Sequence, residues 1–487
     1  MLTFIAILLP TLLGFLIISI LLRHEVETPL GERIALSFPL GSVIITLQIF
    51  LLGFMRIPLT LFNTAFPVAI EIIALASWMF WQKIPLVPIS PEPGRSLRCE
   101  LTSFQIHWAK KLLMAGLLIW ITAKLISVFV MTGLRPIYSW DAWAEWTAGA
   151  KVFFYSHSLL LDAPAQDFFG QSAVHRIIYY PLHNPLLQLW ISLWDGTFNE
   201  ISVKFFSPVY LLSLAVCFYY FAAREMNRIA ALMMLIIFLS SPLMSYHATE
   251  LNCDVVLGTY LLLVAVSFLK SIRGNRPYWT LTGIFATEAL FIKEQAFLFV
   301  LPLILSATIY LKFNMDKTHA RIAMRSFFIP FLAILPWYFF IFYYGLGFEA
   351  LHDYGYSVMT EIFGDDPNRI NTYFTFHPEI LTGYLYWFVS LNNFNVILFF
   401  FPVLLVMQMR FSKESLHLLL PIACYMLSFI FLYMFTMFFS WFMWGVIFFR
   451  NTLTFYPVLC LLTVLLIKNI QQSKATSPLE CSNGMKR

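Results

Sequence analysis

The sequence predicts an all-α, polytopic membrane protein with about thirteen spanning helices. Its composition comes first: of 487 residues, 60% are hydrophobic, 18% aromatic and only 12% charged. A soluble domain carries about 25% charged residues, so these few could not cover a soluble fold, whereas lipid could. Run length comes second: apolar segments near the roughly 20 residues needed to cross a bilayer core recur along the chain, clearly at 2–22, 112–131, 203–223 and 255–269. Third, the basic residues sit in short loops between these runs, where they report orientation and say little about any partner.

Lys and Arg favour the cytoplasmic side of a membrane. Basic clusters lie at 83–111 (Lys83, Arg95, Arg98, Lys110), 224–228, 270–276, 312–325 and 410–413, with Lys468 last. One alternation puts them all inside: spans at 2–22, 34–54, 61–81, 112–131, 203–223, 229–244, 253–269, 279–291, 296–311, 326–344, 381–409, 417–436 and 451–467. It requires that 182–194 not cross fully, lying instead at the interface or dipping in. The amino terminus is then outside and the tail inside. Residues 1–22 lack a positive leader and a small-residue cleavage site, so they read as the first span. The expected organisation is three leading helices (1–81), a cytoplasmic Pro-rich linker (82–111), a transmembrane core (112–467) and a cytoplasmic tail (468–487).

This topology gathers the unusual polar residues on the outer side: Asp141, Glu145, Lys151, His183, Glu250, Asp254, Lys293, Glu294 and Arg450. Long outer loops emerge at 132–181 and 345–378. Ionisable residues at such depths are costly and usually face a cavity or a partner. Blander readings stand beside each: a loop ion pair for Lys293 and Glu294, snorkelling for Arg450, and a loop-to-helix junction for His183 between Pro181 and Pro185. Glu71, Lys124 and Glu288 fall within spans and read as packing or snorkelling. The second loop holds His352, Glu361, Asp365, Asp366, Arg369 and His377, which read as a solvated flap. Cysteines 99, 217, 253, 424, 460 and 481 have no paired spacing and read as apolar fillers. Neither a phosphate loop nor an HExxH, GxSxG or EF-hand pattern occurs, which argues against nucleotide binding, and nothing points to nucleic acid.

Directly after the fourth span comes Tyr138-Ser-Trp-Asp141-Ala-Trp-Ala-Glu145-Trp-Thr-Ala-Gly-Ala-Lys151. At about 100° per residue, Trp140, Trp143 and Trp146 would share one helical face, with Asp141 and Glu145 opposite. Indole rings settle at headgroup level, so the segment reads as an interfacial helix with its acids turned to protein or water. Those acids are either solvated or functional; an acid fixed at a membrane surface beside a cation suits chemistry on a lipid headgroup.

These residues resemble the GT-C superfamily of membrane glycosyltransferases, in particular relatives of protein O-mannosyltransferases and lipid A aminoarabinose transferases. The matches are Asp141-Ala-Trp-Ala-Glu-Trp with Ala150-Lys151, Tyr180-Pro-Leu-His183-Asn-Pro185, Glu250-Leu-Asn-Cys-Asp254, Thr282-Gly283 through Ile292-Lys293-Glu294, and Arg450 with Pro457. Their order along 112–467 is informative, while two features depart from the pattern. The usual Asp-Glu doublet is replaced by Asp141 and a separated Glu145, and three extra helices precede the core.

The resemblance implies a GT-C-like fold whose large first outer loop carries interfacial helices. It implies transfer of a sugar from a polyprenyl-phosphate carrier to an acceptor glycan, lipid or protein at the outer face, in a bacterial inner membrane with the active site facing the periplasm. Asp141 would be the catalytic base, worth typically 10²–10⁴-fold, and direct displacement would invert the anomeric centre. Lys151, Lys293 and Arg450 would stabilise the leaving phosphate, with Glu145, His183, Asp254 and Glu294 also binding substrate. No resident cofactor is implied, and a divalent cation is left open. The rivals are an O-antigen polymerase or ligase, which would place arginine pairs where Arg369 stands nearly alone, and a lipid-linked-sugar flippase, which would place charges at the midplane.

Overall fold

A backbone in hydrocarbon must satisfy every N–H and C=O within its own segment, which makes helices of long apolar runs. The computed structural model describes residues 2–25, 28–86, 108–159, 180–343, 376–389, 393–394, 396–408, 412–436, 439, 442 and 445–476, and shows no strand among them. Helices α1 (Leu2–Leu21), α2 (Leu30–Phe54), α3 (Leu61–Trp81) and α4 (Trp108–Leu134) come first. A π-helical turn, Ala142–Thr147, runs into α5 (Ala148–Ser156), followed by α6 (His183–Asp195), α7 (Phe206–Glu225), α8 (Arg228–Leu239) and α9 (Pro242–Ala248). Next come α10 (Cys253–Ile272), α11 (Tyr278–Ile292), α12 (Phe297–Asn314), α13 (Lys317–Phe328) and α14 (Leu335–Tyr343). The last are α15 (Glu379–Val389), α16 (Ile397–Met407), α17 (Lys413–Phe435) and α18 (Val446–Thr476).

Ten described stretches are long and apolar enough to cross a bilayer, or eleven if α8 and α9, bent by 70°, form one broken span. Two of the thirteen expected spans, 381–409 and 279–291, are not among these stretches. The run 381–409 is not one helix: α15 and α16 replace it, because Asn392, Asn393 and Asn395 interrupt the apolar sequence. Helix α11 has 15 residues, about 22 Å at 1.5 Å per residue, and runs alongside α10 from Tyr278, which bonds Lys270, to Lys293, which bonds Asp254. Helix α6 has 13 residues, about 20 Å, too short to cross alone. It is buried from His183 to Leu193, and Asp195 at its end accepts a hydrogen bond from Thr3 at the start of α1.

Helix α10 forms the axis of the bundle, buried continuously from Cys253 to Ser271. The first two helices are built into the same core. They touch through backbone: a Cβ on Gly41 would stand 1.7 Å from the Pro10 carbonyl oxygen, and one on Gly14 1.9 Å from that of Ser37. Small residues at such crossings let membrane helices pack by close contact. By contrast, α3 and α4 present Phe62, Phe80, Trp81, Ile119 and Leu134 outward, a surface suited to lipid.

Charges tie the bundle together at one end. Buried Glu32 pairs with Arg224 and, at 2.6 Å, with Lys270. Glu225 binds Arg273 at 2.5 Å and Lys468 at 2.7 Å, and Arg273 reaches Glu414 at 2.6 Å. Since Lys270 follows Asp254 by sixteen positions on α10, this belt lies about 24 Å from Asp254 along the axis. Asp254 therefore marks the opposite end.

Candidate active site

At that opposite end, Asp254 sits in the first turn of α10, where unpaired backbone N–H groups favour an acid. Its side chain is 0% exposed. Lys293, extended at the break after α11, donates to its Oδ1 at 3.2 Å. Arg450, in the first turns of α18, donates from Nε to its Oδ2 at 3.1 Å. His247 on α9 places Nδ1 3.2 Å from the same Oδ2; the bend between α8 and α9 carries it there. The second edge of Arg450 goes elsewhere, Nη1 donating to Asp141 Oδ2. Three segments thus converge on one buried carboxylate.

Asp141 is held from the loop before it. Glu250 Oε2 accepts the backbone N–H groups of Tyr138 and Ser139, at 3.2 and 3.4 Å, and the Ser139 hydroxyl donates to Asn252 Oδ1 at 3.0 Å. Gln295, two residues beyond Lys293, donates to the Tyr425 hydroxyl at 2.8 Å and to Thr454 at 3.0 Å, fastening that break to α17 and α18.

Burial pushes the Lys293 ammonium towards its neutral form, but the Asp254 carboxylate outweighs it, so its pKa is raised above the ordinary lysine value. Lys293 therefore stays cationic at neutral pH. Both Asp254 oxygens are engaged and shielded, whereas the Asp141 side chain is 27% exposed. A base must come within hydrogen-bond reach of the proton it takes; of the two acids, Asp141 is the one open to an incoming molecule.

The tryptophan face turns out differently from the sequence expectation. Trp140 and Trp143 are 59% and 55% exposed, but Trp146 is 2% exposed and Glu145 is buried with it. The wider i→i+5 turn of a π-helix changes the phase of residues 142–147, and a 100° wheel misplaces whatever follows. Such turns are frequent at functional sites.

Asp141, Asp254, Lys293 and Arg450 are thus brought together. Lys151 is not: it pairs with Glu200 at 2.8 Å and stands over Phe198. Glu294 is exposed beside the cluster, while Lys293 turns to Asp254 in place of the expected loop pair. The cluster also explains Arg450 without snorkelling. Sequence reasoning misses His247 and leaves Glu250 and Asn252 without roles; only the acid-rich stretch 250–254 hints at them. Of the second-loop residues, His377 binds Glu379 at 2.8 Å, and the other five lie outside the described residues. Among the described residues, no group of three or more His, Cys, Asp or Glu is arranged to hold a metal.

His183 belongs to a second, deeper network. It pairs with Glu288 and sets Nε2 2.9 Å from the Tyr210 hydroxyl. Thr46 donates to Glu288 at 3.3 Å, Ser42 bonds Tyr210 at 2.6 Å, and Tyr260 donates to the Pro39 carbonyl at 2.8 Å. Glu288 is therefore a partner of His183, not a packing or snorkelling residue, and both are 0% exposed. Tyr260, six residues beyond Asp254 on α10, puts this layer about 9 Å below it. Removing one member of a buried pair leaves the other uncompensated, at roughly 3–5 kcal/mol. His183→Ala is accordingly expected to lower the unfolding temperature of the detergent-solubilised protein, and His183→Ala/Glu288→Leu to recover part of the loss.

The architecture is that of a polytopic helical membrane protein whose acids and cations meet at one end of the bundle. Residues 181–340 match the family model described as dolichyl-phosphate-mannose-protein mannosyltransferase, a GT-C superfamily domain. The match is a similarity to membrane glycosyltransferases of the GT-C type over about a third of the chain. It contains His183, His247, Asp254 and Lys293, while Asp141 and Arg450 flank it. No curated protein and no solved structure matches the chain significantly.

Proposed function

We propose that the protein transfers a sugar from a polyprenyl-phosphate carrier to an acceptor hydroxyl at the outer face of the membrane, with inversion. The observation that carries this reading is buried Asp254 holding two cations, Lys293 and Arg450, beside the accessible carboxylate of Asp141. The acceptor O–H gives its proton to Asp141 as its oxygen bonds the anomeric carbon. The bond from that carbon to the phosphate oxygen breaks, and the electron pair leaves with the phosphate. Preformed cations favour this step because they meet charge that grows in the transition state. They need no reorganisation to do so, since Asp254 already fixes them.

Apolar side chains stand next to the site: Tyr384, Met426, Phe429, Phe448 and Phe455 surround Asn451, which adjoins Arg450 in the chain. An isoprenoid chain whose phosphate is held at Arg450 would run along this apolar surface between α15, α17 and α18. The transporter reading draws on one observation, the buried His183–Glu288 pair; the family match favours the enzyme.

Two measurements test the proposal. Purified protein in nanodiscs, given a panel of radiolabelled polyprenyl-phosphate sugars and membrane-extract acceptors, should release free polyprenyl phosphate, and Arg450→Gln should lose most of that activity; turnover unchanged by Arg450→Gln would refute the phosphate role. For orientation, Trp140→Cys and Tyr246→Cys, exposed beside the site at 59% and 40%, should react with an impermeant maleimide from outside, and Arg276→Cys, exposed at the other end, only after permeabilisation. The reverse pattern would place the site in the cytoplasm.

A further inference from the structure

Arg450 is held by two carboxylates of unlike character. Its Nε bonds Asp254 at 3.1 Å, a 0% exposed residue that also anchors Lys293. Its Nη1 bonds Asp141, whose side chain is 27% exposed and which stands on the segment after α4. One edge of the guanidinium is fixed in the core, then, and the other is free to exchange. A guanidinium offers several N–H donors in a planar fork and binds phosphate as readily as carboxylate. An acid that donates its lone pair to Arg450 is also a poor acceptor for a substrate proton.

We infer that Asp141 and the phosphate of the lipid carrier compete for the outer edge of Arg450, so that binding of the donor releases the base. This rests on the reading of Arg450 as a phosphate ligand given above. Asp254 is the positioning residue: it keeps the guanidinium in place through Nε while Nη1 changes partner. No covalent bond changes in this step; one charge-assisted hydrogen bond is exchanged for another. It imposes an order in which the donor enters first, and the acceptor then meets a carboxylate no longer bound to arginine. Before that, the base is paired with arginine, which makes it a weaker acceptor for the proton of a hydroxyl reaching the site.

The competition has a diagnostic sign. A residue that merely braced the site would weaken phosphate binding when removed, whereas a competitor strengthens it. Binding of farnesyl phosphate to the full-length protein in nanodiscs, followed by calorimetry, reads this directly. Asp141→Asn is expected to bind about five- to tenfold more tightly than wild type, while Asp141→Glu, which retains a carboxylate, stays within about twofold. Should Asp141→Asn fail to fold, Asp141→Ser, also neutral, gives the same comparison. Equal or weaker binding by the neutral variants, with Arg450→Gln still weakening it, overturns the competition and leaves the phosphate role of Arg450 standing. Unchanged binding in Arg450→Gln overturns both.

Discussion

Asp141→Asn is expected to lower sugar transfer by about 10²–10⁴-fold, the range for loss of a positioned base, without weakening donor binding. The amide keeps the shape of the carboxylate and can still accept a hydrogen bond, but it cannot take the acceptor proton at neutral pH. Since Asp141 is partly exposed and bonds Arg450 through one oxygen only, the fold should tolerate the change. Single-turnover transfer from a preloaded donor is the measurement that separates chemistry from binding. A rate within a few-fold of wild type would move the base elsewhere.

Asp254→Ala is expected to cost roughly 3–5 kcal/mol of stability, the range for removing one partner of a buried ion pair, and to abolish activity as well. The deletion strands Lys293, leaves Arg450 with Asp141 alone, and removes the ion pairs that join α10 to α18 and to the break after α11. Thermal unfolding in detergent gives the stability loss. A double-mutant cycle with Lys293→Met should show strong non-additivity, because the second change removes the stranded charge. Independent, additive effects would mean that the cluster does not act as a unit. The comparison with Asp141→Asn is informative: one acid at the site is expected to matter for chemistry and the other for architecture, and their exposures distinguish them.

Much of this site is legible in the amino-acid sequence. Asp141, Asp254, Lys293 and Arg450 can be assigned to one end because helix length and basic loops leave few ways to thread the chain. His247 is not legible, since its place depends on the 70° bend between α8 and α9, and a seven-residue separation from Asp254 signals nothing. Lys151 misleads for the converse reason: an Ala-Lys pair fits a family pattern, yet its ammonium finds Glu200 nearby. The tryptophan face fails at Trp146 because a π-turn has no reliable mark in sequence and one such turn rotates all that follows.

The sequence by itself determined that this is a helical membrane protein with Asp141, Asp254, Lys293 and Arg450 at one end, because apolar length and charge cost are local quantities that lipid enforces on each segment. Only the tertiary structure decided which of those residues meet. Arg450 and Asp141 are 309 positions apart, and the pairing of Glu288 with His183, like that of Asp254 with three basic side chains, depends on how helices cross and bend. Those angles are set by close contacts such as Gly14 and Gly41 against facing carbonyls, and packing of that kind is a property of pairs of segments that no single segment encodes.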